Sequence, residues 1–223
     1  MRNRALQPDE FTLCALLKAA AVEEDKRRVA HTWDELVTAG VVPTHVSHSA
    51  LVVAYVRCGA PEEALLVLNV MEREGTLRKD DDHARVAFNI LLTSLTTGKQ
   101  ADKLKEDLLA RMRMLNLAPD AVTYNALMAH AETPEGISDV MAQMEAAGLA
   151  PGTASHNIWL RGFVNASPPD MEAASDVVAQ MARIGVLPDA HTYGLLIKGY
   201  GRLKDAKAAF SALTDMRRRG TSL

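Results

Sequence analysis

The chain has 223 residues, of which 48 % are hydrophobic and 24 % charged, with a formal net charge of -3; such a chain can bury a core, which excludes wholesale disorder. The acidic balance argues against a general polyanion binder, because bulk affinity for nucleic acid comes from Lys and Arg neutralising phosphates. No stretch approaches the roughly 18 to 20 consecutive apolar residues of a membrane span, and the two cysteines, Cys14 and Cys58, stand too isolated to suggest a disulfide framework or a zinc ligand set.

Aromatics are only 4 %, β-branched residues are scattered, and Ala, Leu, Met, Glu and Lys are plentiful, so helix is the expected state. Met1 to Arg4 lead straight into Leu6-Gln7-Pro8-Asp9, without the long basic amphipathic segment of a transit peptide or the apolar core of a secretory signal. From there a pattern recurs along the chain. Leu6-Gln7-Pro8-Asp9-Glu10-Phe11-Thr12-Leu13 returns as Ala118-Pro119-Asp120-Ala121-Val122-Thr123-Tyr124-Asn125 and as Leu187-Pro188-Asp189-Ala190-His191-Thr192-Tyr193-Gly194. A degenerate copy, Ala150-Pro151-Gly152-Thr153-Ala154-Ser155-His156-Asn157, lies between the last two.

A second anchor is a Leu or Met followed four residues later by Gly or Asn: Leu36 and Gly40, Met71 and Gly75, Met112 and Asn116, Met144 and Gly148, Met181 and Gly185, Met216 and Gly220. The closing residues are separated by 35, 41, 32, 37 and 35 residues, a period typical of two-helix repeat arrays. Before each anchor the apolar residues fall at helical spacing, as in Ile137, Val140, Met141 and Met144, or Ala174, Val177, Val178 and Met181. Gly beyond the last apolar residue closes the helix, and the Pro that follows prevents its continuation. After Pro-Asp a new helix starts, with the carboxylate of Asp120 placed to complement its amino end.

Pairs of this length cannot each close a core, so neighbours must stack. The sequence thus predicts an all-α solenoid of about six helix-turn-helix units, near 10–44, 45–84, 85–120, 121–152, 153–189 and 190–223, in one domain preceded by a 1–9 segment that reads as the tail of a further unit. Neither end shows a polar capping element, which suggests an internal piece of a longer protein or ends covered by partners.

The Val-Thr-Tyr-Asn-x-Leu opening, the apolar-x2-Met second helix and the Gly-x2-Pro-Asp closure resemble the pentatricopeptide repeat family over nearly the whole chain; the Trp, Leu-Gly and Tyr signature of tetratricopeptide repeats is missing. The resemblance implies a right-handed superhelix in a mitochondrion or chloroplast that binds single-stranded RNA, one unit facing one base. It assigns base reading to a residue early in each first helix with the closing residue of the same unit. Those positions hold Ser49, Asn89, Asn125 and Asn157, beside Cys14 and Gly194, with Asp120 and Asp189 as closing partners. Asn89 with Asp120 and Asn157 with Asp189 are the complete pairs, of a kind that in the family goes with uridine. The apolar wedge between bases falls on Val46, Val86 and Val122, with Phe11, Ala154 and His191 in the same place; the phosphate-meeting position near the end of the first helix falls on Arg57 and Arg202, whereas Val22, Thr97, Thr133 and Asn165 are not basic, although Lys99 is near.

Two readings of these residues stand side by side. Either the amides read bases, or they face solvent and bond locally in a solenoid that has become a scaffold in a large ribonucleoprotein such as an organellar ribosome, gripping ribosomal protein subunits. His48 and His156 read as packing residues, and His45, His48 and the Asp80-Asp81-Asp82-His83 run as solvated structure rather than a metal site. The methionine stripe reads as core. No nucleophile elbow, phosphate-binding Gly loop or deaminase ligand set is present, so neither an enzyme activity nor a cofactor is expected.

Overall fold

The computed structural model describes residues 8–77, 81–95 and 99–219. Ala5–Gln7 of the proposed preceding tail, Asp80, Thr97, the Lys99 side chain and the last anchor residue Gly220 lie outside them. Among the described residues there are twelve α-helices: α1 (Glu10–Val22), α2 (Lys26–Thr38), α3 (His45–Arg57), α4 (Pro61–Arg73), α5 (Asp82–Ser94), α6 (Lys99–Met114), α7 (Ala121–His130), α8 (Pro134–Ala146), α9 (Thr153–Asn165), α10 (Met171–Arg183), α11 (Ala190–Arg202) and α12 (Ala206–Arg218). The fold is an all-α helical-repeat solenoid.

Contacts group the chain into two compact units, residues 1–119 and 120–223. In the first unit α1, α3 and α5 pack side by side as one layer, with α2 and α4 behind them and α6 against α5. In the second, α7, α9 and α11 form the corresponding layer, with α8, α10 and α12 behind. The odd-numbered helices are called first helices below and the even-numbered ones second helices.

The Met-to-Gly anchor owes its regularity to the backbone. At the end of each second helix from α2 to α10 the carbonyl of the anchor residue accepts the N–H of the residue five positions on: Val41 to Leu36, Thr76 to Met71, Leu117 to Met112, Leu149 to Met144 and Val186 to Met181. That bond is the outer one of a Schellman closure, and it forces the intervening residue into the left-handed region. Gly40, Gly75, Gly148 and Gly185 take φ between 65 and 97°, and Asn116 takes 56°; Gly pays nothing for this and Asn little. The anchor side chains themselves are core: Met71, Met112, Met144 and Met181 are wholly buried and Met216 and Leu36 nearly so. Truncating one of them to Ala removes about 2 to 5 kcal/mol of stability.

First helices are opened by side-chain caps. The carboxylates of Asp9, Asp120 and Asp189 accept the N–H three residues on, at 2.8, 2.9 and 2.8 Å, which satisfies amides that would otherwise lack a partner at the helix start. Gly152 stands in the same place before α9 and offers no side-chain cap. α5 departs in another way: its cap, Asp81, lies eight residues before Asn89, whereas Thr44, Asp120, Gly152 and Asp189 lie five before Ser49, Asn125, Asn157 and Gly194. The extra near-turn is added at the amino end, since Ala87, Phe88, Asn89 and Leu92 are buried in the phase of Ser155, His156, Asn157 and Leu160.

Candidate functional site

In each unit the first helices share one stripe that faces away from the second helices. On α9 it runs Ala154, Asn157, Arg161, Asn165, and on α11 His191, Gly194, Lys198, Arg202, a spacing of three then four residues that keeps side chains on one helical face. At the top of the stripe the wedge positions leave large apolar groups in water: Phe11 is 81 % exposed, Val86 53 % and Val122 54 %. Val46 is half-buried. Isolated exposed apolar residues need no explanation, but here they recur at one helical position, on α1, α5 and α7.

A hydrogen-bonded site lies between α9 and α11. Asn157, only 6 % exposed, donates its amide N–H to Asp189 Oδ1 at 3.1 Å. Its Oδ1 lies 2.7 Å from the hydroxyl of Thr192. That hydroxyl accepts the backbone N–H of Asp189 at 3.1 Å and has one proton to give, with Asn157 Oδ1 and, at 2.9 Å, Asp189 Oδ1 both in reach. Asp189 Oδ1 already accepts from Asn157 and from the Thr192 backbone, so the proton serves best on the amide oxygen. The amide is thereby fixed in orientation, with carboxylate on one side and hydroxyl on the other. Burial alone would raise the pKa of Asp189, but the Thr192 N–H, the Asn157 amide and the Thr192 hydroxyl outweigh it and hold the carboxyl below its ordinary value of 3.8.

The neighbouring junction, between α7 and α9, is half of the same device. Ser155 occupies the place of Thr192 and donates its hydroxyl to Asn125 Oδ1 at 2.7 Å; Gly152 stands where Asp189 would be, so no carboxylate meets the amide nitrogen. Asn125, Asn157 and Asp189 line a common hollow of about 370 Å³ with Ala154, Ile158, Arg161 and His191. Of the other residues singled out from sequence, Asn89 is buried on α5 and Asp120 caps α7. Ser49 is buried with its hydroxyl donated to the His45 carbonyl of its own helix at 2.8 Å, as is common for Ser within a helix. Arg57 is exposed at the end of α3; Arg202 donates its guanidinium to the carbonyl of Val164, at the end of α9.

Three features were hidden from sequence reasoning. Thr192 and Ser155, quoted there only as signature residues, are partners of the amides. Arg161 stands four residues short of Asn165, the phosphate position of that helix, and so carries no role in the repeat pattern. Charge is also segregated: the first helices hold Lys18, Arg57, Arg85, Arg161, Lys198 and Arg202 against Glu10 and Asp82, a net excess of four positive charges in a chain whose total is -3. In α7, α9 and α11 there is no carboxylate at all. The carboxylates of this layer are gathered at the helix starts, where Asp9, Asp81, Asp120 and Asp189 serve as caps, so the positive excess belongs to the helices themselves and not to their amino ends.

The histidines divide. His48 and His156 are packing residues whose Nδ1–H donates to the carbonyls of Thr44 and Gly152, each at 2.9 Å, and His48 packs at a tilt of 57° against Trp33 with ring centroids 4.9 Å apart. His45 and Asp81, expected in solvent, instead meet across α3 and α5 with Nε2 3.5 Å from Oδ2, and the Asp81 side chain is only 9 % exposed. Among the described residues no group of three or more His, Cys, Asp or Glu stands where it could hold a metal ion, and no helix is long and apolar enough to cross a membrane.

Comparison with known proteins places the repeat and the fold. A family model for the PPR repeat matches residues 46–76 and 191–221, and one for the pentatricopeptide repeat domain matches residues 1–58. A mitochondrial pentatricopeptide repeat-containing protein of Arabidopsis thaliana is 29 % identical over 147 residues, covering 64 % of this chain and 34 % of the relative. A small ribosomal subunit protein of the same plant, rPPR7, is 26 % identical over the same share of each. The chain thus spans about a third of the length of these curated relatives. Among solved structures, the pentatricopeptide repeat protein PPR10 in complex with an 18-nt psaJ RNA element matches the fold with a TM-score of 0.80 at 23 % identity, over 100 % of this chain and 32 % of that one.

Proposed function

The chain belongs to the pentatricopeptide repeat family, and from that premise we propose that it binds single-stranded RNA along the stripe of its first helices. In this reading it is a non-catalytic adaptor in the RNA processing, stability or translation of a mitochondrion or chloroplast. The observation that carries the proposal is the clamped amide of Asn157. With one N–H directed to Asp189 and the carbonyl oxygen directed to Thr192, the second N–H and the second oxygen lone pair are left in fixed order at the edge of the hollow. Fixed order of donor and acceptor is what distinguishing the edge of uridine from that of cytidine requires. Exposed Val86 and Val122, with half-buried Val46, supply apolar faces on which successive bases rest, and base stacking on side chains tolerates any sequence. Basic residues on α9 and α11 beyond the acidic caps, Arg161, Lys198 and Arg202, supply local attraction to phosphate.

Titration of labelled uridine-bearing single-stranded RNA at low salt tests this. Asn157→Ala is expected to weaken binding by about 1 to 1.5 kcal/mol and to reduce the preference for uridine over cytidine at one position. Absence of binding by the unaltered chain, or an Asn157→Ala variant with unchanged affinity and preference, overturns it.

A second reading has one observation in its favour: a relative is a small ribosomal subunit protein. Under it the solenoid is a scaffold subunit that grips ribosomal proteins or folded RNA. Stoichiometric, salt-resistant co-purification of the native chain with ribosomal subunits supports this reading, and recovery as a free monomer counts against it.

A further inference from the structure

The phosphate-meeting position implied by the family is poorly filled in the second unit. Asn165 holds it at the end of α9, α7 stops short of it so that it falls on Thr133, the cap of α8, and on α11 the guanidinium of Arg202 is engaged with the Val164 carbonyl. One helical turn earlier on the same stripe, at a spacing of four residues, stand Arg161 on α9 and Lys198 on α11. Both are exposed. Lys198 Nζ reaches across to Asn165 Oδ1 at 3.2 Å, so the amide that replaces a basic residue on α9 is used to hold the lysine of the next helix. Lys keeps two further N–H donors while so held.

Arg161 is the more telling group. Four residues beyond Asn157, it lies about 6 Å further along the helix axis, and it lines both the hollow of Asn125, Asn157 and Asp189 and a second hollow of about 650 Å³ toward the α7–α8 turn. Glu132 and Glu135 line that second hollow, yet among the described residues no carboxylate pairs with Arg161. An exposed guanidinium presents its donors in a planar fork that suits phosphate oxygens.

We propose that Arg161 and Lys198 form a phosphate-binding rail for single-stranded RNA, displaced by one turn from the family's place toward the base-reading hollow. This inference rests on the RNA-binding reading above and adds the residues that hold the backbone. A strand with its base edge at Asn157 and its wedge contact at His191 or Ala154 passes its phosphates over the rail, with the reader setting sequence and the rail setting affinity.

The test uses the same RNA titration, repeated between low and physiological salt with uridine-rich and cytidine-rich single strands. Arg161→Ala and Lys198→Ala are each expected to weaken binding about three- to tenfold and equally for both sequences, and to lower the slope of log affinity against log salt by about 0.7. Arg161→Lys, which keeps the charge, is expected to retain the slope. Circular dichroism melting monitors the fold, which exposed residues should leave intact. If the unaltered chain binds RNA but the Ala variants bind with the same affinity and slope, the rail is overturned while the reading stands. A change of sequence preference in place of a uniform loss equally overturns the rail. If the unaltered chain binds neither strand, it is the RNA-binding reading that fails.

Discussion

Asn125 and Asn157 sit at the same position of neighbouring first helices, and the hydroxyl of Ser155 or Thr192 meets the amide oxygen of each at 2.7 Å. Of these two, Asn157 alone has a carboxylate on its nitrogen. The difference traces to one residue, Gly152 against Asp189, and it teaches that a reader side chain is defined by the residue that opens the following helix as much as by its own identity. The same carboxylate caps α11, so the helix start and the reader are one hydrogen-bonded assembly at the α9–α11 junction and two separate affairs at the α7–α9 junction.

The largest expected break in this comparison comes from the hydroxyls. Thr192 is fully buried, and Thr192→Val would strand the Asp189 N–H and the Asn157 oxygen together, costing about 2 to 3 kcal/mol. Ser155→Ala, which orphans the oxygen of a half-buried amide that water can reach, should cost about 1 kcal/mol. Urea denaturation of the two variants measures both; equal losses would mean that the carboxylate adds nothing to the assembly.

A gentler change should sharpen the contrast by abolishing it. Gly152 has φ -94° and ψ -169°, close to the -106° and -178° of Asp189, and a Cβ added there meets nothing within 4 Å. Gly152→Asp should therefore cap α9 and clamp Asn125, raising stability by a few tenths to about 1 kcal/mol and adding a further position of uridine preference in the RNA titration. A destabilised variant, or one with unaltered preference, would show that the backbone similarity is not sufficient.

The smallest effect is on pH. Because the folded pKa of Asp189 lies below 3.8, its contribution is present above the unfolded value and is lost as pH falls through the folded one. The stability difference between the unaltered chain and Asp189→Asn should be constant from neutrality to about pH 5 and shrink below about pH 4, whereas variants at Gly152, which does not titrate, should show no such convergence. Denaturation series at several pH values provide the check.

Much of the fold was legible from the chain because its determinants are local. Helical spacing of Ile137, Val140, Met141 and Met144 predicted a buried face, and Ile137, Met141 and Met144 are buried while Val140 is half-buried at its edge; the Met-to-Gly interval predicted a left-handed closure, and the described Gly residues adopt one. Capping by Asp120 and Asp189 was equally local. What sequence order concealed is what lies about 30 to 36 residues apart and is brought together only by stacking: the reach of Ser155 to Asn125, of Thr192 to Asn157, and the meeting of His45 with Asp81. The distribution of charge was hidden for the same reason, since a chain total averages over layers that the fold separates.

The Schellman closures carry one more consequence. Four residues separate Gly40 from Thr44, Asn116 from Asp120, Gly148 from Gly152 and Gly185 from Asp189, while the interval from Gly75 to Asp81 is six, and in that one place the next helix gains a turn before its buried face resumes. Phase along the array is thus set afresh at each closure rather than inherited from the last. The longer turn before α5 is thus absorbed at the amino end of its own hairpin, and the buried positions of that helix resume in the pattern seen on α9.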